Sequence, residues 1–119
     1  MDVKEKLKII TDSCEEKKGI NIKVLDIKNL SSIADYFVIV SGNSSAQVKS
    51  LADEIEEKMS ENGYDTDNQE GRNSMRWILL DYGDIIVHVF HRDEREYYNL
   101  ERLWENGEIK KNQEENNER

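Results

Sequence analysis

The side chains with chemistry to offer are two histidines, one cysteine, a serine cluster and several acids grouped with aromatics. His88 and His91 stand three apart in an apolar run. Imidazole is the commonest metal ligand, but on an extended strand positions i and i+3 point to opposite faces, so these two do not chelate one ion together. His88 shares strand parity with Ile86 and Phe90, the pattern of a histidine packed in a core or at its rim. Cys14 has no second thiol for a disulfide or a zinc cage, and it falls on the apolar stripe of a helix, the place of a small buried hydrophobe. Ser41-Gly42-Asn43-Ser44-Ser45 lies between an apolar strand and a helix start, where free backbone N–H groups are able to hold a phosphate. A phosphate loop would carry more glycine and a lysine. A nucleotidyltransferase would carry two carboxylates one residue apart soon after its Gly-Ser, and here the next acid is Asp53. Plain helix capping accounts for the serines. With no Gly-x-Ser-x-Gly elbow and no Cys-His motif, the reading is of a protein that is not an enzyme and uses no metal and no cofactor.

The acids offer more. Glu70, Asp81, Asp84, Asp93 and Glu94 fall near Trp77, Tyr82, Tyr97, Tyr98 and Trp104 in sequence. Aromatics flanked by carboxylates suit a docking surface for a basic protein, the rings anchoring and the acids steering. Core aromatics beside a solvated face give the same pattern, and composition alone does not separate the two.

These residues must be positioned by a small set of elements. Val3, Leu7, Ile10 and Cys14 make one helical stripe, capped by Asp2 and closed by Gly19. Ile20 to Ile27 alternates and is β-branched, a strand with one partly solvated face. After a connector at Ser31 to Ala34, Tyr36 to Val40 is apolar at every position, as in a strand covered on both faces, and is the candidate central strand. Ser44 and Gln47 form a capping box ahead of Val48, Leu51, Ala52, Ile55 and Met59, a helix closed by Asn62-Gly63. Tyr64 to Ser74 is polar, a loop or a weak edge strand. Met75 to Leu80 and Ile85 to Phe90 flank Asp81-Tyr82-Gly83-Asp84, a β-hairpin whose turn has glycine available for positive φ. Asp93 and Glu96 can cap a last helix bearing Tyr97, Leu100, Leu103 and Trp104, with Asn99 as its point of interruption. The order demands a mixed sheet, because a crossover helix implies parallel neighbours and the hairpin implies antiparallel ones. The fold class is α/β or α+β with one sheet.

Length and charge bound the rest. At 119 residues the chain fits one domain, over residues 1–104, followed by a polar tail at 105–119 in which Ile109 is the one aliphatic residue. Net charge of -9 disfavours nonspecific nucleic-acid binding. The N-terminus has no apolar signal core and no run reaches the ~20 residues of a membrane span, so a cytoplasmic protein is expected.

Leu30-Ser31-Ser32-Ile33-Ala34-Asp35-Tyr36-Phe37-Val38-Ile39-Val40-Ser41-Gly42-Asn43-Ser44 resembles the signature of the ribosomal silencing factors, the Iojap-like family. Trp77 to His91, followed by Arg95-Glu96-Tyr97-Tyr98-Asn99-Leu100-Glu101-Arg102-Leu103-Trp104, is similar to that family's long hairpin and last helix. The resemblance runs in unbroken order over residues 1–104. It departs at Arg92, where many members carry proline, and in the unusually polar stretch 65–76. The resemblance implies an α/β fold: a single mixed sheet of four to five strands with helices on both faces, nucleotidyltransferase-like without the catalytic carboxylates. It also implies a small cytoplasmic translational repressor, commonly a homodimer. Such a protein binds large-subunit ribosomal protein fourteen and sterically blocks joining of the small subunit under nutrient limitation; a large-subunit assembly factor or a relict nucleotide-binding protein are the alternatives. Obstruction is feasible in scale, since a chain of this length has a radius of gyration of about 14 Å. The expected partner-binding residues are Trp77, Asp81, Tyr82, Asp84, Glu70, His91, Tyr98, Asp35 and Tyr36.

Overall fold

The computed structural model describes residues 3–103. The expected cap Asp2, the aromatic Trp104 and the polar tail at 105–119 lie outside the described residues. The elements are α1 (Val3–Glu16), β1 (Ile20–Asp26), β2 (Tyr36–Gly42), α2 (Ser45–Glu61), β3 (Asn68–Glu70), β4 (Trp77–Asp81), β5 (Ile85–His91), α3 (Arg92–Tyr98) and α4 (Leu100–Leu103). The strands form one mixed sheet in the order β1-β2-β5-β4-β3. β2 and β5 are parallel, with Tyr36 opposite Ile85 and Gly42 opposite His91. The remaining pairings are antiparallel.

Strand alternation divides the apolar residues between two layers. On the first face Val38, Val40, Ile78, Leu80, Val87 and Val89 meet Ile10 and Cys14 of α1 and Val48, Leu51, Ile55 and Met59 of α2. The predicted stripes of both helices therefore face the sheet. On the second face Leu25, Phe37, Ile39, Ile86 and Phe90 are covered by Ile27 and Ala34 of the β1–β2 connector, with Leu100 of α4 packed against them. All seven residues of β5 are buried, so β5 holds the middle of the sheet and β2 lies beside it, one place off the centre expected for Tyr36 to Val40.

Local chemistry explains the boundaries. The Ser44 hydroxyl accepts from Gln47 N at 3.1 Å, and the Gln47 carboxamide oxygen accepts from Asn43 N at 2.8 Å, a reciprocal cap. Gly83 has φ +89 in the hairpin turn, which L side chains resist. The polar stretch after α2 yields β3 because Arg72 bridges: its guanidinium donates to Gln69 at 3.1 Å, Asp53 at 2.7 Å and Glu56 at 2.6 Å, tying the edge strand to α2. The last helix is capped by His91, whose Nδ1 accepts from Asp93 N at 3.2 Å, and not by Asp93. The chain passes from β5 into α3 without a linker, so the final strand residue occupies the cap position. Asn99, left-handed at φ 48, separates α3 from α4. The connector at Ser31 to Ala34 forms bends without a helical turn.

Candidate partner-binding face

Four of the nine residues expected at the interface lie on or against one sheet face. Trp77 and Asp81 of β4 point to the second face with Leu79 between them, since Leu79 belongs to that cluster and all three share strand parity. Glu70 of β3 sits opposite Leu79 in register and so extends the same face toward the sheet edge. Tyr98, at the end of α3, is 50% exposed and lies against Trp77 with ring centroids 5.0 Å apart. Trp77 rests in turn on Phe90 at 4.7 Å.

The indole is also held at its polar edge. Trp77 Nε1 donates to His88 Nδ1 at 3.1 Å. This contact fixes the neutral histidine as the Nε2–H tautomer, because Nδ1 must offer its lone pair. His88 is 4% exposed, Phe37 meets it edge-on at 4.6 Å, and its Nε2 has no hydrogen-bond partner among the described residues. Burial disfavours the imidazolium and brings the pKa down to about 4. Sequence reading of His88 as a packed histidine holds; its role as the seat of Trp77 had no signal beyond the shared face parity of Leu79 and His88 across β4 and β5.

A second group collects at the opposite end of the hairpin. Asp84 accepts from Lys6 Nζ at 2.9 Å, and Asp81 Oδ1 accepts from Gly83 N at 2.8 Å, so both carboxylates are drawn onto the protein. Asp35 N donates to the Asp84 carbonyl at 2.9 Å, which sets Asp35 and Tyr36 beside the turn. The Tyr36 hydroxyl accepts from Lys28 Nζ at 2.9 Å, and that contact, with Asp26 also bonding the ammonium, raises the Lys28 pKa. Trp77 is thus remote from the turn, four positions back along β4.

Two expectations require correction. Tyr82 is 5% exposed and packs in the first-face core against the α1–α2 layer, because its parity is that of Ile78 and Leu80; it presents no surface to a partner. Burial, the largest cause, with Glu56 and Asp65 nearby, drives its phenol pKa upward. His91 is 8% exposed and spends Nδ1 on the helix cap, so it too offers almost no contact area. Two apolar side chains of the β1–β2 connector, Leu30 and Ile33, stand exposed. Cys14 is fully buried and its thiol pKa rises to about 12, chiefly through burial. Among the described residues no group of three His, Cys, Asp or Glu side chains is arranged to hold a metal, and no helix is long and apolar enough to cross a membrane.

Comparison with known proteins decides the family. The family model for the ribosomal silencing factor during starvation matches residues 1–119. The chain belongs to the ribosomal silencing factor family. It is similar to the ribosomal silencing factor RsfS of Bacillus subtilis, 48% identical over 104 residues that cover 87% of this chain and 88% of the relative. The chloroplastic protein Iojap of Zea mays is 28% identical over 97 residues, 82% of this chain and 42% of that longer protein. Among solved structures, a Chromobacterium violaceum protein superposes with TM-score 0.85 at 38% identity, covering 87% of each chain. A Bacillus halodurans protein gives TM-score 0.77 at 42% identity, covering 85% of this chain and 94% of that one. The single mixed sheet with its helices is therefore shared with crystal structures at substantial identity.

Proposed function

We propose that this protein represses translation by binding the large ribosomal subunit through large-subunit ribosomal protein fourteen and sterically blocking the small subunit under nutrient limitation. Family membership supports a ribosome-associated regulator. The observation that carries the contact face is the Trp77–Tyr98 pair, Trp77 partly buried on Phe90 and His88 and Tyr98 half exposed, with Glu70 and Asp81 on the same sheet face. Rigid aromatic anchors beside carboxylates fit a partner that presents apolar surface ringed by Lys and Arg. Asp84 and Asp35, with the Tyr36 phenol beside them, form the rim at the hairpin end. Repulsion between net charge -9 and ribosomal RNA directs docking to a basic protein. A chain of 13.7 Å radius of gyration is large enough to obstruct a subunit-joining surface. No step requires bond chemistry, a metal or a cofactor, and the protein works in the cytoplasm. Free of the ribosome it pairs as a homodimer, which would cover exposed Leu30, Ile33 and Tyr98.

The test adds purified protein to separated ribosomal subunits and follows reassociation by sedimentation. Wild type should hold the subunits apart, and a folded Glu70→Lys, Asp81→Lys double variant should release them. Full blocking by that variant would move the interface off this face.

A further inference from the structure

β2 and β5 are the parallel neighbours of the sheet, and the chain leaves them in opposite directions. After β2 it enters α2 on the first face; after β5 it enters α3 and α4, whose Tyr98 and Leu100 lie against second-face residues. Where connections from adjacent parallel strands part in this way, a crevice opens beyond the carboxyl ends of the strands, the usual place for a small ligand in open α/β sheets. This structure has one there, of about 420 Å³, within the range of small-molecule sites.

Its walls carry both signs of charge. Arg95 is 94% buried and immobilised: Nη1 donates to the Ile20 carbonyl at 3.2 Å and the Ser41 hydroxyl at 3.3 Å, while Nε and Nη2 lie 3.1 and 3.0 Å from Glu101 Oε2. That pair forms a fixed floor. Arg92, at the mouth, is 65% exposed and held only loosely among the described residues, by a 3.4 Å contact to Asn43 Oδ1 and a 3.7 Å approach to Asp93. Glu96, one turn along α3, lines the same crevice. Asn21, Asn43 and Asn99 complete its lining, Asn21 and Asn99 both in the left-handed region.

A bare phosphate suits this site poorly, since the Asn43 and Gln47 N–H groups at the start of α2 are already taken by the reciprocal cap and acids stand beside the arginines. A bare cation meets two guanidinium groups. We propose that the crevice binds a small zwitterion of the α-amino-acid type, its carboxylate on Arg92, its ammonium on Glu96, and its side chain among the asparagines. A guanidinium fork matches a carboxylate in geometry, and a ligand of zero net charge is not repelled by a chain of net charge -9.

The experiment uses the full chain and does not involve the ribosome, so it stands or falls apart from the translational role. The twenty α-amino acids, each at about 10 mM so that Kd near 1 mM is detected, are screened by thermal shift and then by amide NMR titration; inorganic phosphate is titrated alongside. At least one amino acid should move the Asn21, Asn43 and Asn99 resonances saturably, and its N-acetyl and carboxamide forms should each bind at least tenfold more weakly. Arg92→Gln and Glu96→Gln, both at exposed positions, should each weaken binding about tenfold with melting temperature unchanged. The proposal is overturned if no amino acid perturbs these resonances, if the N-acetyl form or phosphate binds as tightly as the parent, or if both variants bind like wild type.

Discussion

Trp77→Phe keeps an aromatic ring on Phe90 and Tyr98 but deletes the indole N–H, leaving His88 Nδ1 without its 3.1 Å donor. Stranding a buried acceptor costs about 1–3 kcal/mol. His88→Phe strands the indole N–H of the partly buried Trp77 instead, at a similar cost of about 1–3 kcal/mol. With both changed the site is wholly apolar and neither group is orphaned. The double variant should therefore be more stable than the sum of the singles predicts, by roughly 1–2 kcal/mol of coupling. His88 also sets an acid signature. Its folded pKa of about 4 lies below the ordinary 6.5, so between those values the unfolded chain binds a proton that the folded one refuses. Stability from this group is whole above pH 6.5 and is lost as pH falls toward 4, by roughly 3 kcal/mol in all. Urea unfolding followed by circular dichroism at pH 7 and pH 4.5 measures both effects. Additive single variants, together with an unchanged pH dependence in His88→Phe, would refute the account of how Trp77 is seated.

Tyr82→Phe removes a buried hydroxyl that lacks a hydrogen-bond partner among the described residues, so it should raise stability by about 1 kcal/mol in thermal unfolding and leave large-subunit binding intact. Gly71→Ala should destabilise by about 2 kcal/mol or more, because φ is +89 and an added Cβ would collide with the Trp77 carbonyl; calorimetry reads it directly. Tyr98→Ala should leave melting within about 4 °C of wild type while weakening binding to the large subunit at least tenfold in pelleting assays, since the ring is half exposed and its main neighbour is Trp77. Magnesium-dependent release of pyrophosphate from nucleoside triphosphates should be undetectable, since the acid next after Ser41-Gly42 is Asp53, which pairs with Lys49 and Arg72.

Elements defined by period and punctuation were legible in the chain. The α1 and α2 stripes, the Ser44–Gln47 cap and the hairpin around Gly83 all follow from spacing, because each is settled by neighbours within a few residues. β3 was not, since its hold is the Arg72 bridge to Asp53 and Glu56, a polar contact made across the fold by a segment with no apolar pattern. The candidate site was half legible. The strand pattern of the hairpin gives Trp77 and Asp81 a common face, whereas Glu70 joins that face only through the pairing of β3 with β4. Tyr82 misled because residue type favours an interface while parity, fixed by Ile78 and Leu80, assigns it to the core. His91 misled because a histidine next to acids looks available until the cap it makes for α3 is seen.

The strand order carries a consequence for how the molecule comes into being. Its middle strand is the fifth and its neighbour the second, so the pairing of Tyr36 with Ile85 closes a loop of about 50 residues before it gains anything. During synthesis α1, β1, β2 and α2 emerge with one flank of β2 unpaired, its backbone N–H and C=O groups open until β5 arrives. Assembly then completes late and at once, since β5 joins both halves of the sheet and brings the α3 that follows it. Substitutions in β5 should consequently slow refolding in proportion to the stability they remove, whereas those in β3, hung on the outer edge by Arg72, should chiefly hasten unfolding.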